Sequence, residues 1–215
     1  MKRKIHKGEI YDKERTKGKL ITAVGKILVK EGYKNIRINK IETVSGVSKK
    51  LIYKYFGNLD GLIKAYLNQV DFWKMEEQKL TENEAPVLPD ITEAFMAKLL
   101  RDDFDYLQKS TEMQKIILWG ISEKNKAIKT LSDEREELGE IILNKADEIF
   151  EGTNVDYRPT VAIFVAAIYY TILHAKSNRS TMCGIDVTTQ EGRDRIFKAL
   201  ERLLGLTYKY SNVAI

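Results

Sequence analysis

The sequence predicts an all-α protein built as a small three-helix head on a larger helical body, and three observations carry that expectation. Apolar residues recur at helical spacing through nearly all of the 215 residues. No segment sustains an apolar/polar alternation with β-branched enrichment between paired turn signals. The three prolines, Pro86, Pro89 and Pro159, fall between periodic segments or near a helix start, where a missing N–H does least harm.

The first helix is expected from about Arg15 to Lys30, because Leu20, Ile21, Val24, Ile27 and Leu28 form one stripe while Lys19, Lys26 and Lys30 lie off it. Gly32 stops it. A short second helix spans about Ile38 to Thr43, and Ser45-Gly46-Val47-Ser48 supplies a tight turn. Ser48 is placed to cap a third helix, Lys49 to Tyr55 or Phe56, by accepting a bond from a first-turn N–H. Past Gly57, Asn58 caps a long fourth helix that reaches about Leu80, with Asp60 complementing its N-terminal dipole. Beyond a linker from Pro86 to Pro89, helices are expected near Asp90 to Lys109, Glu112 to Gly120, Leu131 to Phe150, Arg158 to Lys176 and Thr188 to Leu206. Ser177 to Val187 reads as an exposed loop. The domain boundary is expected after residue 58, leaving residues 59–215 as the body.

Charge divides the chain in the same way. Residues 1–60 hold 16 Lys and Arg against 6 Asp and Glu, a balance of +10, whereas residues 61–215 carry -5. A basic head on an acidic body is the electrostatic footprint of nucleic-acid binding at one end. Cys183 is the single cysteine and cannot make an internal disulfide, which suits a reducing cytoplasm. The longest apolar run, Val161 to Leu173, falls short of the roughly 20 residues of a membrane span. No apolar signal segment follows the basic N-terminus. A cytoplasmic protein without a membrane partner is expected.

Two short helices joined by a glycine-containing turn, the second of them basic, describe a helix-turn-helix. Such a recognition helix must expose its N-terminal side chains to base edges while its other face is pinned. Ile52 and Phe56, four residues apart, are suited to pin it, with Val47 closing the turn. Lys49, Lys50, Tyr53 and Lys54 then face outward. Lys49 and Lys50 are expected to read base pairs, and Tyr55 and Lys17 to hold phosphates.

Residues 32–62 resemble the DNA-binding segment of the tetracycline-repressor (TetR) family at Gly32, Tyr33, Ile38, Ile41, Gly46, Val47, Ser48, Tyr53, Tyr55, Phe56, Asn58, Asp60 and Leu62. Five positions depart from the pattern. Arg37 occupies the position of a hydroxyl residue that caps the second helix and touches phosphate. Glu42 and Ser45 replace small residues, Lys50 replaces a glycine early in the recognition helix, and Leu59 replaces a lysine. The resemblance implies a homodimer on a palindromic double-stranded operator, Ser48 among its DNA contacts, and a body that encloses a small-molecule effector. It further implies that the last two helices pair with those of a second copy, and Ile168, Ile172, Ile196, Phe197, Leu200 and Leu204 are the side chains expected at that interface.

Phe104, Tyr106, Met113, Trp119, Phe164, Tyr170 and His174 are the large or polar-tipped residues able to line an effector pocket, although aromatics and Met at helical spacing more often fill plain core. His174 has no second His or Cys at ligand spacing, so neither a metal nor another cofactor is expected. Asp102, Asp103 and Asp105 read as a solvated acidic face. With no paired-carboxylate, H-E-x-x-H, G-x-S-x-G or phosphate-cradling glycine motif, an enzyme is not expected. A DNA-binding regulator released by a ligand is the leading expectation. A helical interaction module, whose basic head holds a protein or nucleic acid without sequence preference, is the alternative.

Overall fold

The computed structural model describes residues 7–81 and 90–211. Among them lie ten α-helices, a single 3-10 turn at Tyr33–Asn35 and no strand. The helices are α1 (Lys7–Glu31), α2 (Ile38–Ser45), α3 (Lys50–Phe56), α4 (Leu59–Val70), α5 (Phe72–Thr81), α6 (Glu93–Lys109), α7 (Thr111–Ser122), α8 (Lys126–Phe150), α9 (Tyr157–Asn178) and α10 (Gln190–Ser211). The Pro86 to Pro89 linker lies outside the described residues.

The expected fourth helix is two helices. Asp71 takes an extended backbone, φ -81° and ψ 126°, between α4 and α5. Its Oδ1 accepts from the Lys74 N–H at 3.2 Å, the bond of an N-cap. Apolar periodicity runs on across this break, so the cap residue was the available signal. In the same way Asn125 Oδ1 accepts from the Ile128 N–H at 3.1 Å and starts α8 five residues earlier than the apolar stripe suggests.

Two compact units emerge, and both are discontinuous in sequence. The first gathers Met1–Met75 with Thr111–Asp133, and the second Glu76–Ser110 with Glu134–Ile215. Residues 59–75 and 111–133 thus group with the three-helix head rather than with the body. In the first unit Leu20, Val24, Ile27 and Leu28 of α1, Ile41 of α2, Ile52 of α3, Leu62 and Tyr66 of α4, Ile116 and Trp119 of α7 and Ile128 and Leu131 of α8 form one buried cluster.

In the second unit α6 packs on both α9 and α10. Its inward stripe is Met96, Leu99, Leu100, Asp103, Phe104 and Leu107. Asp103 is fully buried on that stripe, which corrects the solvated reading of all three acids. The helical repeat that turns Leu99, Leu100 and Phe104 inward turns residue 103 inward as well. The Phe104 and Phe197 rings meet edge to face at 5.8 Å, and the Arg101 guanidinium lies 3.5 Å over the Phe197 ring. At another point Phe150, Tyr157 and Tyr208 cluster, and the Tyr208 hydroxyl donates to the Ile91 carbonyl at 2.9 Å.

Helix α9 spans 22 residues and is long and apolar enough, by length and composition, to cross a membrane. The apolar run read from the sequence understated it. One face, Phe164, Ile168, Ile172 and Ala175, is buried in the second unit, while Ile163 and Tyr170 stand 65% and 63% exposed.

Candidate nucleic-acid interface

The helix-turn-helix is built from the turn outward. Gly46 ends α2 in the left-handed region, φ 66° and ψ 17°, and its N–H reaches the Glu42 carbonyl. Ser45 Oγ accepts from the Val47 N–H at 3.1 Å, which drives Val47 inward to 8% exposure. Ile52 is fully buried and Phe56 half-buried, so α3 is pinned on that face as the sequence required. Its other face carries Lys50, Tyr53 and Lys54 into solvent, with Tyr53 53% exposed.

The N-terminus of α3 is held differently from expectation. Ser48 forms no capping bond. Lys49 already has a right-handed helical backbone, φ -56° and ψ -23°, and its N–H donates to Glu42 Oε1 on α2 at 2.8 Å. The Lys49 ammonium donates to Asn39 Oδ1 at 3.2 Å. Arg37 starts α2 without a side-chain cap and donates from Nε to the Lys34 carbonyl at 3.3 Å. Arg37, Ile38, Asn39, Lys49, Tyr53 and Leu59 line a cleft of about 390 Å³.

Three lysines of the head are ion-paired. Lys17 pairs with Glu14 at 2.9 Å, Lys34 with Glu123 at 3.1 Å and Lys40 with Glu31 at 2.7 Å. The Glu123 hydrogen bond and charge hold the Lys34 ammonium above its usual pKa. Among the described residues no carboxylate pairs with the charged groups of Lys13, Arg37, Lys49, Lys50 or Lys54. Lys13 and Lys54 flank the Tyr55 ring, 5.9 and 5.8 Å from its centroid. On α1, therefore, Lys13 stands beside Tyr55, and Lys17 is occupied by Glu14. Lys13 and Asn39 carry no signal in the sequence, and Glu42 shows there only as a departure from the family pattern, because the contacts of all three depend on which residue of another helix they meet.

The residues expected to line an effector pocket divide between the two units. Met113 and Trp119 belong to the first unit, and Trp119 stacks on Tyr33 with ring centroids 5.4 Å apart and planes 6° from parallel. Phe104, Tyr106, Phe164, Tyr170 and His174 belong to the second. Phe104 and Phe164 are buried, Tyr106 and His174 half-buried, and the exposed Tyr170 ring sits 5.7 Å from the His174 ring. Of the residues expected at a dimer interface, Ile168, Ile172, Phe197, Leu200 and Leu204 are already buried within the chain and Ile196 is half-buried. The apolar side chains left open lie on the opposite faces: Ile163 and Tyr170 on α9, and Leu203, Leu206 and Tyr210 on α10.

No family model matches the chain. It is 25% identical over 197 residues to the HTH-type transcriptional repressor SCO4008 of Streptomyces coelicolor, covering 90% of this chain and 97% of that one. Among solved structures, a TetR family transcription regulator from Marinobacter aquaeolei superposes with a TM-score of 0.57 at 12% identity, over 94% of this chain and 97% of that one. This chain has the TetR-regulator fold. The FadR regulator of Bacillus subtilis, solved with stearoyl-CoA, shares that TetR-type architecture at a TM-score of 0.61 and 16% identity, over 87% of this chain and 96% of that one. In the TetR-type frame α2 and α3 are the helix-turn-helix, and Lys50, Tyr53 and Lys54 stand on its open side.

Proposed function

We propose that this protein is a sequence-specific DNA-binding transcriptional regulator, a repressor released by a small-molecule ligand and acting as a cytoplasmic homodimer on a palindromic operator. The observation that carries the reading is the recognition helix itself. Ile52, Val47 and Phe56 pin it from below, and Lys50, Tyr53 and Lys54 stand open above with no carboxylate among the described residues to neutralise the lysines. Phosphates supply the missing negative charge, and base edges accept what remains. The likeness to a curated repressor over nearly the full length of both chains supports the same reading.

The effector is expected in the second unit, bounded by α6, α9 and α10, where Phe104 and Phe164 supply apolar surface and Asp103 a buried carboxylate. A relative solved with stearoyl-CoA makes a long apolar ligand with a polar head a reasonable first probe. Dimerisation is assigned to the open apolar faces of α9 and α10, which also accounts for a helix apolar on two sides without a bilayer.

An electrophoretic mobility shift with the DNA flanking its own gene, challenged by unrelated competitor, tests the function. A specific regulator prefers its site by about a thousandfold or more. Equal displacement by unrelated DNA would instead support a basic interaction module.

A further inference from the structure

The sequence makes Lys49 and Lys50 equivalent, two adjacent lysines at the tip of the recognition helix. The structure separates them. Lys49 is tied twice to α2, by its backbone N–H to Glu42 Oε1 and by its ammonium to Asn39 Oδ1. Lys50 is exposed, and its ammonium has no hydrogen-bond or ion-pair partner among the described residues.

We propose that Asn39 and Glu42 are positioning residues that hold Lys49 on the phosphate side of the helix-turn-helix, leaving Lys50 to read base edges. This rests on the DNA-binding function proposed above. An ammonium that donates to Asn39 lies over α2 and points away from the outer face of α3, where Lys50 stands about 100° further around the helix. Lys49 keeps two N–H donors free and lines one cleft with Arg37 and Tyr53. Two cations lining one small cleft repel until an anion enters, and a backbone phosphate is the anion that duplex DNA presents there.

Glu42 is the strut of this arrangement. Its carboxylate accepts the Lys49 backbone N–H, which has no acceptor within α3, and so ties the start of α3 to α2. A negative charge here would repel phosphate if it faced the cleft, but Glu42 is half-buried and absent from the cleft lining. Its contribution to sequence choice is therefore indirect: it decides which base step Lys50 meets.

The test is selection by the full-length protein from duplexes with a randomised core, followed by salt titration on the duplex selected. Lys49→Ala should enrich the same motif as the unmodified protein, bind every duplex more weakly by a similar factor, and lower the slope of log affinity against log salt by about 1. Lys50→Ala should lose about tenfold or more of the preference at one or two base positions while the rest of the motif stays. Glu42→Ala should broaden the motif, and Glu42→Gln, whose amide oxygen still accepts from the Lys49 N–H, should restore it. Circular dichroism establishes that each variant is folded. Loss of a base preference in Lys49→Ala with the salt slope unchanged would overturn the assignment, as would an unaltered motif in Glu42→Ala. An unmodified protein that enriches no motif would overturn the DNA-reading function together with this inference, whereas the first two results reject the inference alone.

Discussion

At the scale of single residues, the corner between α3 and α4 is the tightest feature of the DNA-binding unit. A Cβ on Gly61 would lie 2.0 Å from the Phe56 carbonyl oxygen, and the Gly61 N–H is already committed to Asn58 Oδ1 at 2.9 Å. Gly61→Ala must therefore push the two helices apart and is expected to cost about 1–3 kcal/mol in chemical denaturation. Gly18, helical and with no atom within 4 Å of an added Cβ, is the internal control. Gly18→Ala should stabilise by about 0.5–1 kcal/mol. If both variants melt alike, the corner is looser than the distances indicate. Asn58 was legible as a cap from its place before an acidic first turn. The demand for glycine at position 61 was not, because it comes from the carbonyl of a neighbouring helix.

At the scale of elements, the helices were readable wherever one apolar stripe met one cap. The chain order of α1, α2 and α3 followed from Leu20 to Leu28, from Ile38 and Ile41 and from the glycines that end each segment. Reading failed where a second face was involved. Ile168, Phe197 and Leu200 belong to stripes strong enough to suggest an intersubunit seam, yet the same strength equally fits a core within the chain, and that is where they are buried. The link between α4 and α7 was invisible for a related reason. The Tyr66 hydroxyl donates to Glu112 Oε1 at 3.1 Å across 46 residues of sequence, beside Gly25 of α1. A side chain at position 25 would lie 2.8 Å from both partners. Tyr66→Phe should lower stability by about 0.5–1.5 kcal/mol with little loss of packing. Gly25→Ala should cost more, since it displaces the ring as well. Thermal melts of the two variants order these effects, and the reverse order would show that the ring has room to move.

At the scale of the whole molecule, two behaviours follow from the proposed function. Leu203, 52% exposed on α10, and Leu200, 8% exposed on the same helix, should respond oppositely to charge. Leu203→Glu is expected to give folded monomers with weak operator affinity, and Leu200→Glu to unfold the second unit. Sedimentation with far-ultraviolet dichroism separates the cases, and a Leu203→Glu protein that stays dimeric would exclude that face from the interface. Effector and operator must also be linked reciprocally: a ligand that weakens DNA binding by some factor loses the same factor of its own affinity when operator is bound. Titration with and without operator measures this directly, and equal affinities would remove the induction mechanism whatever the fold. The stack of Tyr33 on Trp119 carries a last consequence, for anyone transplanting this regulator's specificity onto another sensor. A graft cut at residue 58 takes Tyr33 but leaves behind Trp119, Ile116 and Leu131, which share its core. The transferable cartridge is two pieces of chain, and a working hybrid has to import residues 111–133 along with the head they complete.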